Sequence, residues 1–448
     1  MPLIDHQLGN LSSSELKKRY QDVVFVPWSK QRDAQLLHVK NAHGVYLTLA
    51  DNTKLLDMKS QAFCANLGHS HEGMIKAMGE AALTAKVASS DILCTERLNL
   101  ALDLKTIAPR DNTRALTKTF FTLGGAEANE NAIKIARMLT KRHKIITRYR
   151  SYHGATLATM NMSGDYRRIA VDNAMTGIVR FPDPYPRGSG QEIDTIRLLE
   201  EIIEIEGPET IAAIMLEGIT GANGVFIPPK NYWQRIRALC DRFGILLIAD
   251  EVLSGFFRTG TWFAMDHFSI VPDIMTLSKG ISAGYAPLGA TMVTQEIADY
   301  FDEESLWCGL TQYGNAFACA TARAALGFYQ RDNIALNVEE RGRELSSLLQ
   351  KLLHDHNLVG EVRSIGLLAA IDLVKSKEDQ SPLVPYRASG LAYKPAQILQ
   401  QALQEENILA LVRYNMIILA PPLVITQTEL DEAMFGINRA LKKLAERI

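Results

Sequence analysis

Residues 245–260 read ILLIADEVLSGFFRTG, and no other stretch restricts the fold as much. An apolar run that stops abruptly at Asp250 and Glu251 is a buried strand delivering carboxylates to its carboxyl end, where open α/β sheets hold their ligands. A second short apolar stretch, Ile274-Met275-Thr276-Leu277, leads into Ser278, Lys279 and Gly280. An aspartate and a lysine at the ends of two nearby strands form either a plain buried ion pair or a reactive site, and the pair alone does not decide between them.

A chain of 448 residues is too long for one small core and predicts two or three folding units. Hydrophobic residues at 47% and charged residues at 22% are ordinary for a globular protein. With 48 Lys and Arg against 50 Asp and Glu, the net charge of −2 gives no electrostatic case for nucleic acid or an anionic membrane, and a small molecule is the expected partner. The five cysteines are scattered and never spaced as CxxC, so they read as reduced thiols rather than as a metal or redox site. The first residues lack an apolar signal core and an Arg-rich leader, and no apolar run approaches the length of a membrane span. A cytoplasmic protein is therefore expected.

The pattern along the chain changes in three stages. Residues 1–67 contain short alternating pieces around Gly44-Val45-Tyr46-Leu47 and Lys54-Leu55-Leu56-Asp57, separated by a hairpin turn at residues 50–53. Over residues 68–329 apolar strands alternate with helical periodicity, with strands at residues 144–147, 211–216, 245–249 and 274–277, which predicts a mostly parallel sheet covered on both faces. Residues 330–448 change again, to a helix over 338–354, a strand-like 365–374, a polar loop at 375–385 and terminal helices. That segment is expected to join the N-terminus in a smaller lobe, with the site in the cleft between lobes.

Phe120-Phe121-Thr122-Leu123 leads into Gly124-Gly125-Ala126-Glu127, after which Ala128, Ala132, Ile135, Ala136 and Leu139 fall on one helix face with Lys134 and Arg137 outside it. Two glycines between a strand and a helix let backbone N–H groups converge on an anion at the positive end of the helix dipole. The lysine of a P-loop and the third glycine of a dinucleotide fingerprint are missing, and such a pair alone is more often a tight turn.

Three further pieces give that turn its meaning: Tyr152-His153-Gly154 after a strand, the Asp250 and Lys279 pair, and Gly309-Leu310-Thr311-Gln312-Tyr313-Gly314-Asn315. In this order the chain resembles the fold-type-I pyridoxal-phosphate-dependent enzymes, and closely the class III (omega) aminotransferases, over residues 44 to about 426. The signature runs through Asp250-Glu251-Val252, Gly255-Phe256-Phe257-Arg258-Thr259-Gly260 and Ser278-Lys279-Gly280. The resemblance implies an α/β fold with a large mostly parallel sheet domain and a smaller α+β domain built from both chain ends. It also implies pyridoxal 5′-phosphate held as a Schiff base on Lys279, whose freed amine then moves the substrate's Cα proton.

By the same resemblance Asp250 keeps the pyridine nitrogen protonated, Tyr152 stacks on one ring face and Val252 packs on the other. Gly124, Gly125 and Ala126 surround the phosphate, with His153 and Glu217 in support. Glu217 also reads as a strand-end carboxylate making a structural hydrogen bond. Thr311 is implied to reach the phosphate of a neighbouring subunit, hence a homodimer. The chain departs from the family pattern in having Gly124 for a serine, Phe257 for a glycine, Gly218 for a proline, Cys308 for a histidine and Gln312 for an aromatic residue.

Substrate residues are expected at Trp28 and Phe63, which match apolar pocket positions and read equally as core, and at Arg413, the candidate for a mobile arginine that clamps a carboxylate. The wording around residues 216–224 and at Gly124-Gly125-Ala126 is similar to the taurine:pyruvate and omega-amino acid:pyruvate branch. The expected reaction is therefore ping-pong transfer of an amino group from an amine or omega-amino acid donor to a 2-oxo acid, with pyruvate as acceptor. Lyase, decarboxylase or aminomutase chemistry on the same cofactor is the first alternative, and a non-catalytic binding relative the second.

His69-x-His71 and His354-x-His356 read as loop or helix-surface histidines rather than a metal site, and no metal is expected. Gly188-Ser189-Gly190 reads as a surface loop. Lys442, Lys443 and Arg447 with Glu446 read as a solvated helix face.

Overall fold

The computed structural model describes residues 8, 11–171, 175–185 and 193–448. The loop expected at Gly188-Ser189-Gly190 lies outside them.

Strands form at the short apolar runs. Seven of them, β4 (Leu116–Thr122), β5 (Lys144–Arg148), β6 (Ile178–Phe181), β7 (Ile211–Glu217), β8 (Leu246–Asp250), β9 (Ile274–Leu277) and β10 (Gly289–Thr294), make one sheet in the order β4-β10-β9-β8-β7-β5-β6. All its pairings are parallel except those of β10, which runs against both neighbours. Strand β7 is buried along its whole length, as a strand covered on both faces must be.

Register then decides what shares the carboxyl edge. Glu217 pairs with Asp250, and Asp250 with Thr276, so two carboxylates end adjacent strands side by side and Lys279 follows just beyond the next strand. The helix Gly125–Thr140 buries Ala128, Ala132, Ile135 and Ala136 against this sheet and leaves Lys134 exposed.

A four-stranded sheet of β1 (Val39–His43), β2 (Tyr46–Leu49), β3 (Lys54–Asp57) and β13 (Ile408–Leu409) joins the two ends of the chain, because β13 adds to β3 in parallel. An antiparallel sheet of β11 (Val359–Ile365), β12 (Leu368–Leu373), β15 (Met416–Leu419) and β14 (Leu411–Arg413) completes the smaller lobe. From this pairing we propose that the described residues up to 67, together with residues 330–448, form that lobe. One apolar cluster runs from Val45 and Leu56 through Phe256 and Leu277 to Ile418 and Leu441, so the lobes share a core.

His69 bonds Asp57 at 2.9 Å, and His71 caps a helix through the Met74 N–H. On the last helix Lys443 and Arg447 are not merely solvated: both bind Glu405, at 3.0 and 2.8 Å. No described helix is long and apolar enough to cross a membrane.

Candidate active site

Asp250 is the last residue of β8 and is buried. Its Oδ2 lies 2.8 Å from His153 Nδ1 and accepts a 2.8 Å hydrogen bond from Asn129 Nδ2, while Oδ1 accepts from the Val252 N–H at 3.0 Å. On its other side His153 Nε2 lies 3.2 Å from the Thr147 hydroxyl, so both ring nitrogens have a partner. Asn129 has no freedom left: its amide also donates to His153 O at 2.7 Å, and its Oδ1 accepts from Thr276 at 2.6 Å.

Glu217 ends the neighbouring strand and splits its carboxylate between two turns, accepting from Tyr152 N–H at 3.1 Å and Gly221 N–H at 2.9 Å. Burial raises its pKa, His153 opposes the rise and Asp250 adds to it. The residue after it approaches Ala264 so closely that a Cβ at Gly218 would lie 2.9 Å from the alanine's own, which leaves no room for a proline ring there.

Lys279 adopts a left-handed φ of +46°, a conformation that a lysine holds only under constraint from its surroundings. Burial lowers its pKa, against the pull of Asp250 and Glu217, so both carboxylates are within electrostatic reach of it. Its Nζ stands 5.9 Å from the centre of the Phe63 ring.

Facing the strand ends, the helix Gly125–Thr140 opens at Gly124 with no side-chain cap on its first N–H groups, while Glu127 accepts from the Leu123 N–H at 2.8 Å. A Cβ on Gly125 would sit 2.6 Å from a methyl of Val252, so only glycine admits this approach. Gly154 has φ +140° and would place a Cβ 2.6 Å from that of Ala126, which presses the Tyr152-His153-Gly154 turn onto the helix start. Uncapped N–H groups at a helix start form an anion site.

The far wall is cationic. The Arg167 guanidinium lies between two rings, 4.2 Å from Tyr152 and 4.6 Å from Trp28, and is doubly bonded to Asp165 at 3.0 and 3.1 Å. Arg413, the last residue of β14, bonds the same carboxylate through Nη2. Trp28 is 60% exposed and borders an open cavity with Thr156, Met160, Tyr166 and Arg387, so it belongs to the rim rather than the core.

The strand ends and the two turns thus gather Gly124, Gly125, Ala126, Tyr152, His153, Glu217, Asp250, Val252 and Lys279, with Phe63 beside the lysine and Trp28 and Arg413 on the far wall. Thr311 is exposed, on the turn before the helix Ala316–Arg331. Phe257 keeps φ +66°, the conformation a glycine would take, and its ring packs on Trp262 at 4.3 Å. Sequence reasoning missed Asn129, Asp165 and Arg167. Only Asn129 left a signal, as a polar residue on a helix face otherwise filled by alanine and isoleucine.

The family model described as aminotransferase class-III matches residues 28–441. A taurine:2-oxoglutarate aminotransferase from Bifidobacterium kashiwanohense, solved with PLP and glutamate, superposes with a TM-score of 0.91 at 37% identity, over 97% of this chain and 99% of that one. A probable gamma-aminobutyrate transaminase from Oryza sativa subsp. japonica is 32% identical, covering 92% of this chain and 88% of its own. A taurine–pyruvate aminotransferase from Bilophila wadsworthia is 29% identical, with 92% and 93% covered. With Lys279 and Asp250 meeting at the carboxyl edge of such a sheet, the chain belongs to the class III aminotransferases, pyridoxal-phosphate-dependent enzymes that move amino groups to 2-oxo acids.

Proposed function

We propose that this transaminase takes a donor whose amine is separated from a carboxylate or sulfonate tail, and that Arg167 and Arg413 receive the tail. The observation that carries this reading is the balance of the far wall, where two guanidinium groups share the single carboxylate of Asp165. One positive charge is left to be met by a ligand. Taurine and omega-amino acids have that charge at that end.

The donor set fits the cofactor. A phosphate suits the uncapped helix start at Gly124, Gly125 and Ala126, and the fixed carboxylate of Asp250 suits a protonated ring nitrogen. The aromatic face of Tyr152 and the methyls of Val252 suit the two sides of a flat ring. When bound, pyridoxal phosphate supplies an electron sink for negative charge developing at the substrate's Cα.

The remaining steps belong to the chain. Lys279 would hold the cofactor, and its Nζ is the group that would take the proton from the donor's amine-bearing carbon and return one to C2 of the acceptor. Burial lowers the lysine's pKa, which favours the neutral amine that can take a proton, against the pull of Asp250 and Glu217. His153 and Asn129 stop Asp250 from turning away. Glu217 fixes the backbone of Tyr152.

Donor and acceptor occupy the same pocket in turn, so a cation placed for the donor's tail also meets the acceptor's. Pyruvate is the acceptor expected from sequence, and it has no distal group. The arginine pair favours a second reading, 2-oxoglutarate, whose far carboxylate would use it. The aminated enzyme should be mixed with each oxo acid and the return of the aldehyde cofactor followed by absorbance. A rate at least about tenfold higher with 2-oxoglutarate establishes the second reading, and a higher rate with pyruvate restores the first. Carbon dioxide release, or ammonia without an acceptor, would overturn transamination of these donors altogether.

A homodimer with Thr311 shared across the interface remains part of this proposal, supported by the threonine's exposure. A cytoplasmic setting is supported by five cysteines that are all unpaired.

A further inference from the structure

The cationic wall is organised by a residue that no sequence motif marks. Asp165 is 2% exposed and follows the helix Leu157–Met162; its own N–H bonds Ser151 O at 3.2 Å. Its Oδ1 accepts from Arg167 N–H at 2.9 Å and Nε at 3.0 Å, and its Oδ2 from Arg167 Nη2 at 3.1 Å and from Arg413 Nη2. Those four bonds use the whole accepting capacity of a carboxylate. Burial works to raise its pKa, but the two arginines outweigh it and hold the acid below the usual range, so it stays ionised.

The backbone beneath Arg413 is fixed independently. Asn415 exchanges two hydrogen bonds with Leu373, at 2.7 and 3.2 Å. The Tyr414 ring packs on those of Tyr166 and Tyr386 at 5.4 and 5.1 Å. Motion of Arg413 is thereby confined to its side chain, which Asp165 tethers, and its buried Nε has no acceptor.

We propose that Asp165 is a positioning residue for substrate choice: it locks Arg167 and Arg413 into one fixed pair of net charge +1 and so makes the cleft select donors with an acidic tail. This rests on the acidic-tail reading given above. An arginine free to swing out would admit uncharged amines. A tethered one leaves them facing two half-buried guanidinium groups whose charge Asp165 balances only in part.

The test uses the holoenzyme and two donors of similar size, 4-aminobutyrate and pentylamine, with the best acceptor held constant. For the native chain the ratio of kcat/KM between them should be well above one. Asp165→Asn should lower that ratio about tenfold or more, through KM for 4-aminobutyrate, while Arg413→Ala lowers it similarly. The double variant should fall no further than Arg413→Ala alone, because both act through one tether. Equal losses on both donors, or additive effects, would overturn the role of Asp165. A native ratio near one would instead sink the acidic-tail reading itself. If Asp165→Asn fails to hold cofactor, Asp165→Glu keeps the charge and displaces the pair, and an unchanged ratio there also overturns the proposal.

Discussion

At position 125 the difference between glycine and alanine is a single methyl group with nowhere to go. The added Cβ would meet two methyls of Val252 at 2.6 and 2.9 Å, and a β-branched side chain next to a tethered strand end yields little. Overpacking of this kind costs about 1–3 kcal/mol. Gly125→Ala should therefore weaken cofactor binding roughly tenfold or more, measured by titrating the apo-protein with pyridoxal phosphate and following absorbance. Unchanged affinity would mean that the close approach of Val252 is no part of the cofactor's seat. Gly125, Asp250 and Lys279 were legible because each stands where a strong local pattern breaks, at the end of an apolar run or the start of an amphipathic helix. Asp165 and Arg167 were not, because their meaning lies in partners such as Arg413, remote in sequence, and in a ring, Tyr152, that gives no sign of what stacks on it.

Between elements, the acid beside Asp250 has a different task. Glu251 is fully buried and bonds none of Asp250's partners, accepting instead from the Met265 N–H at 2.8 Å and from Ser254 Oγ at 2.6 Å. It ties the end of β8 to the segment carrying Ala264. Burial pushes its pKa up to about 7, against the opposing bonds from Ser254, Ala264 and Met265. The same acid in an unfolded chain titrates near about 4.3. Between those values the native state binds more protons, so this group's contribution is present at low pH and is lost as pH rises to about 7. Glu251→Gln should remove the dependence. In urea unfolding its stability relative to the native chain should improve with rising pH between about 5 and 7, by up to about 1.4 kcal/mol per unit, and level off above. A constant difference across that range would show that Glu251 stays ionised. At this scale the sequence was legible for β5, β7, β8 and β9 and silent on β6 and β10. A strand buried along its length has the same apolar composition whichever way it runs.

Across the whole molecule the lobes are joined by chemistry as well as by the shared core. Arg258 is fully buried and spends its guanidinium on Leu367 O, Pro421 O, Ser60 and Asn66, tying the signature turn to both ends of the chain. The two-lobed plan was legible because periodicity changes near residues 67 and 330; this tie was not, since nothing local distinguishes an arginine that bonds carbonyls from one that meets solvent. What a single chain leaves uncovered points further. Leu83, Val87, Leu93 and Trp307 are each at least 77% exposed, and Thr311 is exposed four residues beyond that tryptophan. We propose that these exposed apolar side chains lie where a second copy packs. If a second copy covers them and Thr311 serves the copy's site, two inactive variants should complement each other. Lys279→Ala lacks its own lysine but offers an intact threonine, and Thr311→Ala offers the reverse. Unfolded together and refolded as an equal mixture, half the dimers would be hybrids with one intact site of two, so about a quarter of native sites return. At limiting cofactor, Thr311→Ala alone should be nearly inactive and the mixture should recover about that fraction. A mixture no more active than the sum of its parts would place the threonine's role, and the site, within one chain.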